Sequence, residues 1–299
     1  MSSERTISLQ ALARPSGTFA MVAMDQRESL RAMLQSSQCE SVPDHALVEF
    51  KLAVARVLSP YASGFLIDHS YGYRELVSSG LLSDNCGLLL AADDLVQPEN
   101  QPVLDTRIDV EVVPAVARRD GVVALKLLVI WKDDEQRDRR LSMAQDFVNL
   151  CNGSGLISVL EGVVAPTAEE AAHGWDRDDA IVRAAKALNE VSPALYKAQV
   201  PAHGRGTVTD LARACEQISA VLDRPWVVLS NGVDPADFPT AVEAACRAGA
   251  SGTLAGRAVW TAAVGAANTE AALREQCVGR LAHLGDLIDR YARPWRDAV

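Results

Sequence analysis

Two lysines lie inside strongly apolar runs of this sequence, where an ammonium group is costly to bury. Lys126 falls in "VALKLLVIW" and Lys197 in "ALYKAQV", and the alternation of an extended chain turns both side chains inward. Lysine is rarely fully buried without a partner, so an ion pair with Glu161 or Asp25 is the structural interpretation. The chemical interpretation is that burial and a neighbouring cation both lower the pKa of an amine.

A neutral amine of this kind can attack a carbonyl group and form a Schiff base. The Schiff base withdraws electrons, so that the carbon–carbon bond one carbon away can break and leave an enamine. This chemistry needs a proton shuttle, and Glu161, in the neighbouring run "LISVLEGVV", is suitably placed. The five histidines show no ligand spacing. We therefore expect a lysine-dependent reaction with no metal and no cofactor.

Eight apolar runs, separated by longer amphipathic stretches, form the frame that must position these residues. They span residues 18–25, 64–69, 86–93, 122–131, 156–164, 194–200, 225–231 and 251–256. Most are continuously apolar, as parallel strands covered on both faces are. Eight strands alternating with helices predict an α/β fold, a single-domain (β/α)8 TIM barrel over residues 1–299. An open doubly wound sheet is the alternative, although no GxGxxG follows the first strand.

A TIM barrel carries its active site at the C-terminal ends of its strands, so the polar residues found there are site candidates. Besides the two lysines and Glu161, they are Asp25, Gln26, Arg27, Asp68, His69, Gln199, Ser230, Asn231, Gly232, Gly256 and Arg257. The last two turns, "SNG" and "AGR", are small and glycine-rich, which exposes backbone N–H groups to a phosphate. Asp93 and Asp94, after the third run, are interpreted as helix N-caps.

These stretches together resemble the class I aldolase family that contains tagatose-1,6-bisphosphate aldolase and 6-deoxy-6-sulfofructose-1-phosphate aldolase. The resemblance is carried by "FAMVAMDQRESLRAML", "ALKLLVIWKDDE", "LYKAQVP", "PWVVLSNGVD" and "AGASGTLAGRAVW", runs nearly end to end, and is closer to the sulfosugar branch. It implies a barrel that cleaves a ketose 1-phosphate to dihydroxyacetone phosphate and a three-carbon aldehyde. In the sulfosugar branch that aldehyde is sulfolactaldehyde.

The resemblance also implies roles for individual residues. Lys197 corresponds to the Schiff-base lysine, Lys126 to a second active-site lysine, and Glu161 to the carboxylate that transfers protons. Asp25 joins these three as a catalytic residue. Gln26 and Arg27 match the family's "DQR" after the first strand, and the dihydroxyacetone phosphate end is implied to meet Ser230, Gly232, Gly256 and Arg257. The other candidates are expected to bind substrate because of their positions at strand ends, and they are Asp68, His69, Gln199 and Asn231.

Three positions depart from the family pattern. Gln199 stands where the family has a carboxylate, two residues after the Schiff-base lysine. Gly162 stands where the family tends to have proline, and because glycine is permissive we expect the orientation of Glu161 to be less fixed. "SNG" replaces "SSG", which places Asn231 in the turn and is expected to be a mild change.

Two alternative functions follow from the same residues. The first is cleavage of tagatose 1,6-bisphosphate or another ketose phosphate. A phosphate carries nearly two charges and a sulfonate one, so a bisphosphate pocket should gather more cations, for which the candidates are Arg27, His69, Arg74, His203 and Arg205. The second and weaker alternative is a non-catalytic barrel that binds a sugar phosphate, against which the two lysines and Glu161 argue.

Composition limits the classes of partner that this protein is expected to bind and the cellular compartment in which it is expected to act. A formal net charge of -10 argues against a nucleic-acid surface. The first residues contain no apolar signal region, and no run approaches the roughly 18 apolar residues of a membrane span. The six cysteines are scattered without a CxxC pair, which is typical of reduced thiols. We expect a cytoplasmic homo-oligomer whose partner is a small ketose phosphate, with no membrane or nucleic-acid partner.

Overall fold

The eight apolar runs form eight parallel strands that close into a barrel in the computed structural model, which describes residues 7–37, 41–98 and 101–298. In chain order the strands are β1 Phe19–Met24, β2 Gly64–Asp68, β3 Gly87–Ala91, β4 Asp93–Val96, β5 Asp105–Ile108, β6 Val122–Trp131, β7 Ile157–Val164, β8 Leu195–Ala198, β9 Trp226–Val228 and β10 Gly252–Ala255. The barrel runs β1, β2, β3, β6, β7, β8, β9, β10, and β10 pairs with β1. The predicted TIM barrel is confirmed, and the open doubly wound sheet is wrong.

Alternate side chains of the strands point inward and fill the barrel. Phe19, Met21 and Ala23 of β1 belong to this inner cluster, together with matching residues of the other strands. A short 3-10 turn, Leu9–Leu12, adds two leucines to the cluster, and Leu12 is wholly buried. Because this part of the interior is apolar throughout, the buried charges are concentrated at the opposite, C-terminal ends of the strands.

Helices cover the outside of the barrel. They are α1 Glu28–Ser37, α2 Asp44–Leu58, α3 Tyr73–Ser79, α4 Pro114–Arg119, α5 Arg137–Ser154, α6 Ala168–His173, α7 Arg177–Asn189, α8 Val208–Ser219, α9 Phe238–Arg247, α10 Arg257–Trp260, α11 Thr269–Ala272 and α12 Val278–Tyr291. A π-helical turn at Leu273–Cys277 joins the last two. In α2 the helical spacing of Leu47, Phe50, Val54 and Leu58 places them on one face, and all four are buried.

A hairpin that the sequence did not predict follows β3. Strands β4 and β5 pair antiparallel, with Asp93 opposite Ile108. The hairpin is fastened to β6, because Thr106 Oγ1 donates to the carbonyl oxygen of Leu128 at 2.6 Å. The N-cap interpretation of Asp93 and Asp94 is therefore wrong, since both residues lie in β4.

The five cysteines within the described ranges are buried and free: Cys86, Cys151, Cys215, Cys246 and Cys277. Burial raises the pKa of Cys86, Cys151 and Cys215 to about 12, so these thiols stay protonated at neutral pH. Cys39, the sixth, lies outside the described residues. Among the helices described above, none combines the length and the apolar character that crossing a membrane requires.

The seam between β1 and β10 provides a test of the fold. Gly252 has φ +136°, and a Cβ atom there would overlap the carbonyl oxygen of Phe19. Gly252→Ala should therefore lower the free energy of unfolding by about 2–4 kcal/mol, measured by urea denaturation. Gly153→Ala in α5 is the control, because a Cβ there meets nothing within 4 Å. It should change stability by no more than about 1 kcal/mol in the stabilising direction, and equal stability of the two variants would contradict the seam geometry.

Candidate active site

The C-terminal end of the barrel opens into a cavity of about 280 Å³. Four of the charged side chains that line it are those predicted to be catalytic, namely Asp25, Lys126, Glu161 and Lys197. Asp25 follows β1, and the other three point inward from β6, β7 and β8. Strands β6, β7 and β8 are neighbours, and closure of the barrel brings Asp25 to the same end, so residues up to 172 positions apart in the chain line one cavity.

Glu161 lies between the two buried lysines. Its Oε2 atom accepts a hydrogen bond from Lys197 Nζ at 2.9 Å and lies 3.2 Å from Lys126 Nζ. Glu161 and Lys197 are directly opposite in the pairing of β7 with β8, which fixes the first contact. The ion pair expected on structural grounds is present, and it also gives the amine of Lys197 a proton acceptor.

Lys126 is surrounded by carboxylates on three sides. Its Nζ atom lies 2.6 Å from Asp25 Oδ2, 2.7 Å from Asp93 Oδ2 and 3.2 Å from Glu161 Oε2. Burial opposes the charge, but Asp25 first, then Asp93 and Glu161, hold the pKa of Lys126 well above its ordinary value. The expectation that burial would make this lysine neutral is therefore wrong, and Lys126 is a permanent cation.

Asp25 is the matching permanent anion. Burial acts to raise its pKa, but the positive charges of Lys126 and then Lys197 outweigh burial and lower it. The carboxylate therefore stays ionised throughout the neutral range. Its contact with Lys126 brings a negative charge next to the cation, so the pair contributes no net charge to the cavity.

Asp93 lines the cavity and belongs to the charged cluster, although sequence reasoning did not include it among the site residues. Its Oδ2 atom accepts hydrogen bonds from Lys126 Nζ at 2.7 Å and from the backbone N–H of Leu128 at 3.1 Å. Its Oδ1 atom and its carbonyl oxygen accept from Arg27 Nη2 at 3.2 and 2.7 Å. The available signal was an acidic pair placed directly at the end of a barrel strand, where a carboxylate can face the cavity.

Arg27 and Asp68 form a second layer beside this cluster. Arg27 lines the cavity, and its Nε atom lies 3.7 Å from Asp68 Oδ1. Asp68 is wholly buried behind Arg27 and pairs with Lys51 of α2. Burial lowers the pKa of Lys51 and raises that of Asp68, while their mutual contact opposes both shifts. Asp68, predicted to bind substrate, is thus a partner of Arg27 and does not line the cavity.

The turns after β9 and β10 form the other end of the cavity. Arg257 Nη2 donates to Asn231 Oδ1 at 2.6 Å, and the backbone N–H of Gly256 donates to Ser230 Oγ at 3.3 Å. A Cβ atom on Gly256 would lie 2.8 Å from Gln26 Nε2, so glycine leaves room for that amide. All five residues line the cavity, as predicted. Because the side chain of Arg257 bonds, among the described residues, to the neutral Asn231, its charge is available to an anion.

Besides Asp68, three further predicted substrate-binding residues do not line this cavity. His69 borders a separate groove with Arg74, and its ring lies 5.9 Å from that of Tyr73. Gln199 is buried, and its Oε1 atom accepts from the backbone N–H of Val164 at 2.8 Å. The third, Gly232, adopts φ +76° in the turn after β9.

Two of the further candidates for binding a distal anion also lie elsewhere. His203 borders a shallow depression formed with residues 174–178, and Arg205 is exposed after β8. A Cβ atom on Gly232 would approach His203 Nδ1 to 3.0 Å, so this histidine packs against the turn from outside. Of the five cations proposed for the distal anion, the structure places Arg27 alone against the cavity.

Gly162 has a packing role that differs from the one expected. A Cβ atom there would overlap the hydroxyl group of Tyr196, so glycine admits the tyrosine side chain outside the barrel. The neighbouring Glu161 is held by Lys126 and Lys197, at 3.2 and 2.9 Å. The expectation that Gly162 leaves Glu161 loosely oriented is therefore wrong. Within the described ranges, no group of three or more His, Cys, Asp or Glu residues has an arrangement that holds a metal ion.

Comparison with known proteins identifies aldolases both as the matching family and as relatives. The model of the DeoC/LacD family aldolases matches residues 19–262. Tagatose 1,6-diphosphate aldolase 2 of Streptococcus pyogenes serotype M3 is 25% identical over 315 residues, which cover 95% of this chain and 94% of that protein. Tagatose 1,6-diphosphate aldolase of Staphylococcus epidermidis is 25% identical over 285 residues, which cover 88% and 87%.

Solved structures share the fold. Fructose-bisphosphate aldolase from Plasmodium falciparum superposes with a TM-score of 0.66 at 14% identity, over 95% of this chain and 93% of that one. An archaeal fructose 1,6-bisphosphate aldolase superposes with a TM-score of 0.61 at 14% identity, over 94% and 98%. Both similarities support the barrel assignment independently of the family match.

The two lysines should differ in what they contribute to stability. Lys126→Met leaves three buried carboxylates without their shared cation. It should lower the free energy of unfolding by about 3–5 kcal/mol at pH 7. The deficit should shrink toward pH 5, because carboxylates deprived of a cation have raised pKa values and can be neutralised by protonation. Lys197→Met is the matched control, since Glu161 keeps its contact with Lys126. Urea denaturation at pH 7 and pH 5 measures the free energy of unfolding of both variants. Equal decreases for the two variants would contradict the central position of Lys126 among the carboxylates.

Proposed function

Because this chain belongs to the DeoC/LacD family of aldolases, we propose that it is a class I, Schiff-base aldolase acting on a ketose 1-phosphate. The proposed substrate is 6-deoxy-6-sulfofructose 1-phosphate, and the products are dihydroxyacetone phosphate and sulfolactaldehyde. The observation that carries the proposal is the position of Glu161 between a nucleophile, Lys197, and a permanent cation, Lys126.

The first half of the reaction forms the Schiff base. Lys197 passes a proton to Glu161, 2.9 Å away, and its neutral amine attacks the C2 carbonyl of the ketose. The nitrogen of the adduct gives up a proton and the former carbonyl oxygen gains one, which forms the carbinolamine. Its hydroxyl group then takes the proton held by Glu161 and leaves as water, which gives the iminium ion and returns Glu161 to its carboxylate form. Lys126 keeps its proton throughout, and its positive charge beside Glu161 stabilises the oxyanion that develops during the attack.

The second half breaks the carbon–carbon bond. A carboxylate removes the proton of the C4 hydroxyl group, the C3–C4 bond breaks, and the aldehyde leaves with C4 as its carbonyl carbon. The bonding electrons of C3–C4 become the enamine, which is protonated at C3 and hydrolysed to release dihydroxyacetone phosphate. Glu161 and Asp25 are carboxyl groups that line the cavity with Lys197, and we assign the proton transfers to them.

The charges along the cavity support a substrate with one strongly charged end. Of the four cations among the described lining residues, Lys126 is neutralised by carboxylates and Lys197 is the nucleophile. Arg27 already bonds to Asp93, whereas the side chain of Arg257 bonds, within the described ranges, to the neutral Asn231 alone. We therefore assign the phosphate to Arg257 with the turn at Ser230 and Gly256. The distal group, a monoanionic sulfonate, is assigned to Arg27.

Tagatose 1,6-bisphosphate is the second candidate substrate, and the relatives at 25% identity favour it. Its distal phosphate carries nearly two charges. Arg27 offers one charge that Asp93 and Asp68 already share, which favours the sulfonate. The non-catalytic alternative is disfavoured by the cost of burying Lys197 and Lys126, since a binding protein needs neither amine. The cytoplasmic location and the homo-oligomeric state stay predictions.

Trapping the Schiff base tests the proposed chemistry. Incubation with dihydroxyacetone phosphate followed by borohydride should leave one stable adduct, which peptide mass spectrometry should locate on Lys197. Lys197→Ala should lose the adduct, while Lys186→Ala, at an exposed lysine of α7, should keep it. An adduct confined to exposed lysines, or no adduct, would reject the class I mechanism.

The distal group is tested by cleavage of two substrates side by side. The value of kcat/KM for 6-deoxy-6-sulfofructose 1-phosphate should exceed that for tagatose 1,6-bisphosphate by about tenfold or more, a difference of about 1.4 kcal/mol in transition-state binding. Arg27→Met should reduce the ratio of the two values, because it removes the cation assigned to the sulfonate. A wild-type preference for the bisphosphate would replace the sulfosugar by the second candidate and leave the Schiff-base chemistry standing.

A further inference from the structure

Lys51 is a buried cation that none of the chemistry above uses. It lies on α2, outside the barrel, and its side chain is wholly inaccessible to solvent. Its ammonium group contacts Asp68 and lies 5.6 Å from the centre of the Tyr71 ring. Replacing a buried ion pair by apolar side chains of similar volume is often neutral or stabilising. Packing alone therefore does not account for a lysine at this position.

Asp68 connects Lys51 to the cavity. Its Oδ2 atom accepts a hydrogen bond from the ammonium group of Lys51, and its Oδ1 atom accepts one from the backbone N–H of Tyr71 at 2.9 Å. The same Oδ1 atom lies 3.7 Å from Arg27 Nε, a buried nitrogen that has no hydrogen-bond partner in the described part of the chain. Asp68 thus attracts Arg27 from behind the cavity wall but does not bond to it.

Arg27 is held on its other side by Asp93. Its Nη2 atom donates to the carbonyl oxygen and to Oδ1 of Asp93, at 2.7 and 3.2 Å. The guanidinium group therefore lies between two buried carboxylates and is bonded to the one that lines the cavity. Its position depends on how strongly Asp68 competes with Asp93.

We propose that Lys51 is a positioning residue for Arg27, acting through Asp68. The ammonium group of Lys51 pairs with the carboxylate of Asp68. That carboxylate therefore competes less strongly with Asp93 for the guanidinium group of Arg27, which stays at the cavity. This inference rests on the proposed function in one respect, the assignment of Arg27 to the distal group of the substrate. Lys51 itself touches neither the cavity nor the reacting atoms.

The proposal predicts what loss of Lys51 would do. Asp68 would be a buried carboxylate without its nearest cation, which is a costly state. It would close the 3.7 Å gap to Arg27 Nε and pull the guanidinium out of its bonds to Asp93. Binding of a charged distal group would weaken, whereas the lysines and Glu161 would stay in place.

The test compares two substrates that differ at the distal end. In Lys51→Met, KM for 6-deoxy-6-sulfofructose 1-phosphate should rise about tenfold, the worth of about one charge-assisted hydrogen bond. KM for fructose 1-phosphate, which ends in a neutral hydroxyl, should change by less than about twofold, as should kcat for both substrates. Lys186→Met, at the exposed lysine of α7, is the matched control and should resemble the wild type.

A double variant distinguishes positioning from packing. In Lys51→Met/Asp68→Asn no carboxylate competes for Arg27, so the KM for the sulfosugar should return to within about threefold of the wild type. Equal increases in KM for both substrates, or a double variant as impaired as the single one, would overturn the proposal. Where Lys51→Met fails to fold, Lys51→Gln keeps a donor for Asp68 without the charge and should shift the ratio of KM values by about threefold.

The trapping experiment keeps this proposal separate from the proposed function. Lys51→Met should still form the borohydride-stable adduct with dihydroxyacetone phosphate, because the adduct needs Lys197 and not Arg27. A wild type that forms no adduct rejects the Schiff-base mechanism. A wild type that forms the adduct, combined with an unchanged sulfosugar KM in Lys51→Met, rejects the role of Lys51 alone.

Discussion

The structure depends on the balance of charge around the buried ammonium group of Lys126. Its three carboxylate partners come from three places in the chain: the end of β1, the start of the hairpin and the middle of β7. They meet only when the barrel is closed. An unpaired buried charge costs several kcal/mol, so the interactions that assemble the site also favour the closed barrel over partly formed alternatives.

The number of carboxylates around each lysine also determines what each lysine can do. Removing the proton from Lys126 would disrupt contacts with three anions, whereas removing it from Lys197 disrupts one, and the acceptor in that contact is Glu161 itself. One lysine is therefore suited to remain a cation and the other to act as a nucleophile, although both are buried in apolar strands. Burial alone, the criterion that drew attention to both in the sequence, does not separate them.

The sequence was sufficient for the barrel and for the main charged residues. The strands are continuous apolar runs, and a parallel strand covered on both faces has no other pattern, so their number and order could be read directly. The hairpin could not, because its strands, "DDLV" and "DTRI", contain no continuous apolar run and the aspartates of the first also fit a helix cap. Asp93 was missed for that reason. Lys51 was missed although it lies four residues after Leu47 and three before Val54, a spacing that places it on the apolar face of α2.

Gln199 shows how the charge balance explains a departure from the family pattern. The residue is buried, and its Oε1 atom accepts from the backbone N–H of Val164, just beyond the last paired residues of β7 and β8. A carboxylate could accept the same hydrogen bond, but it would add a negative charge two residues from Lys197 and beside strand β7, which already carries Glu161. A neutral amide satisfies the backbone donor without a charge that another cation must balance. With glutamine at this position, Glu161 is the one carboxylate bonded to Lys197 among the described residues, so the proposed proton transfer from Lys197 has a single acceptor.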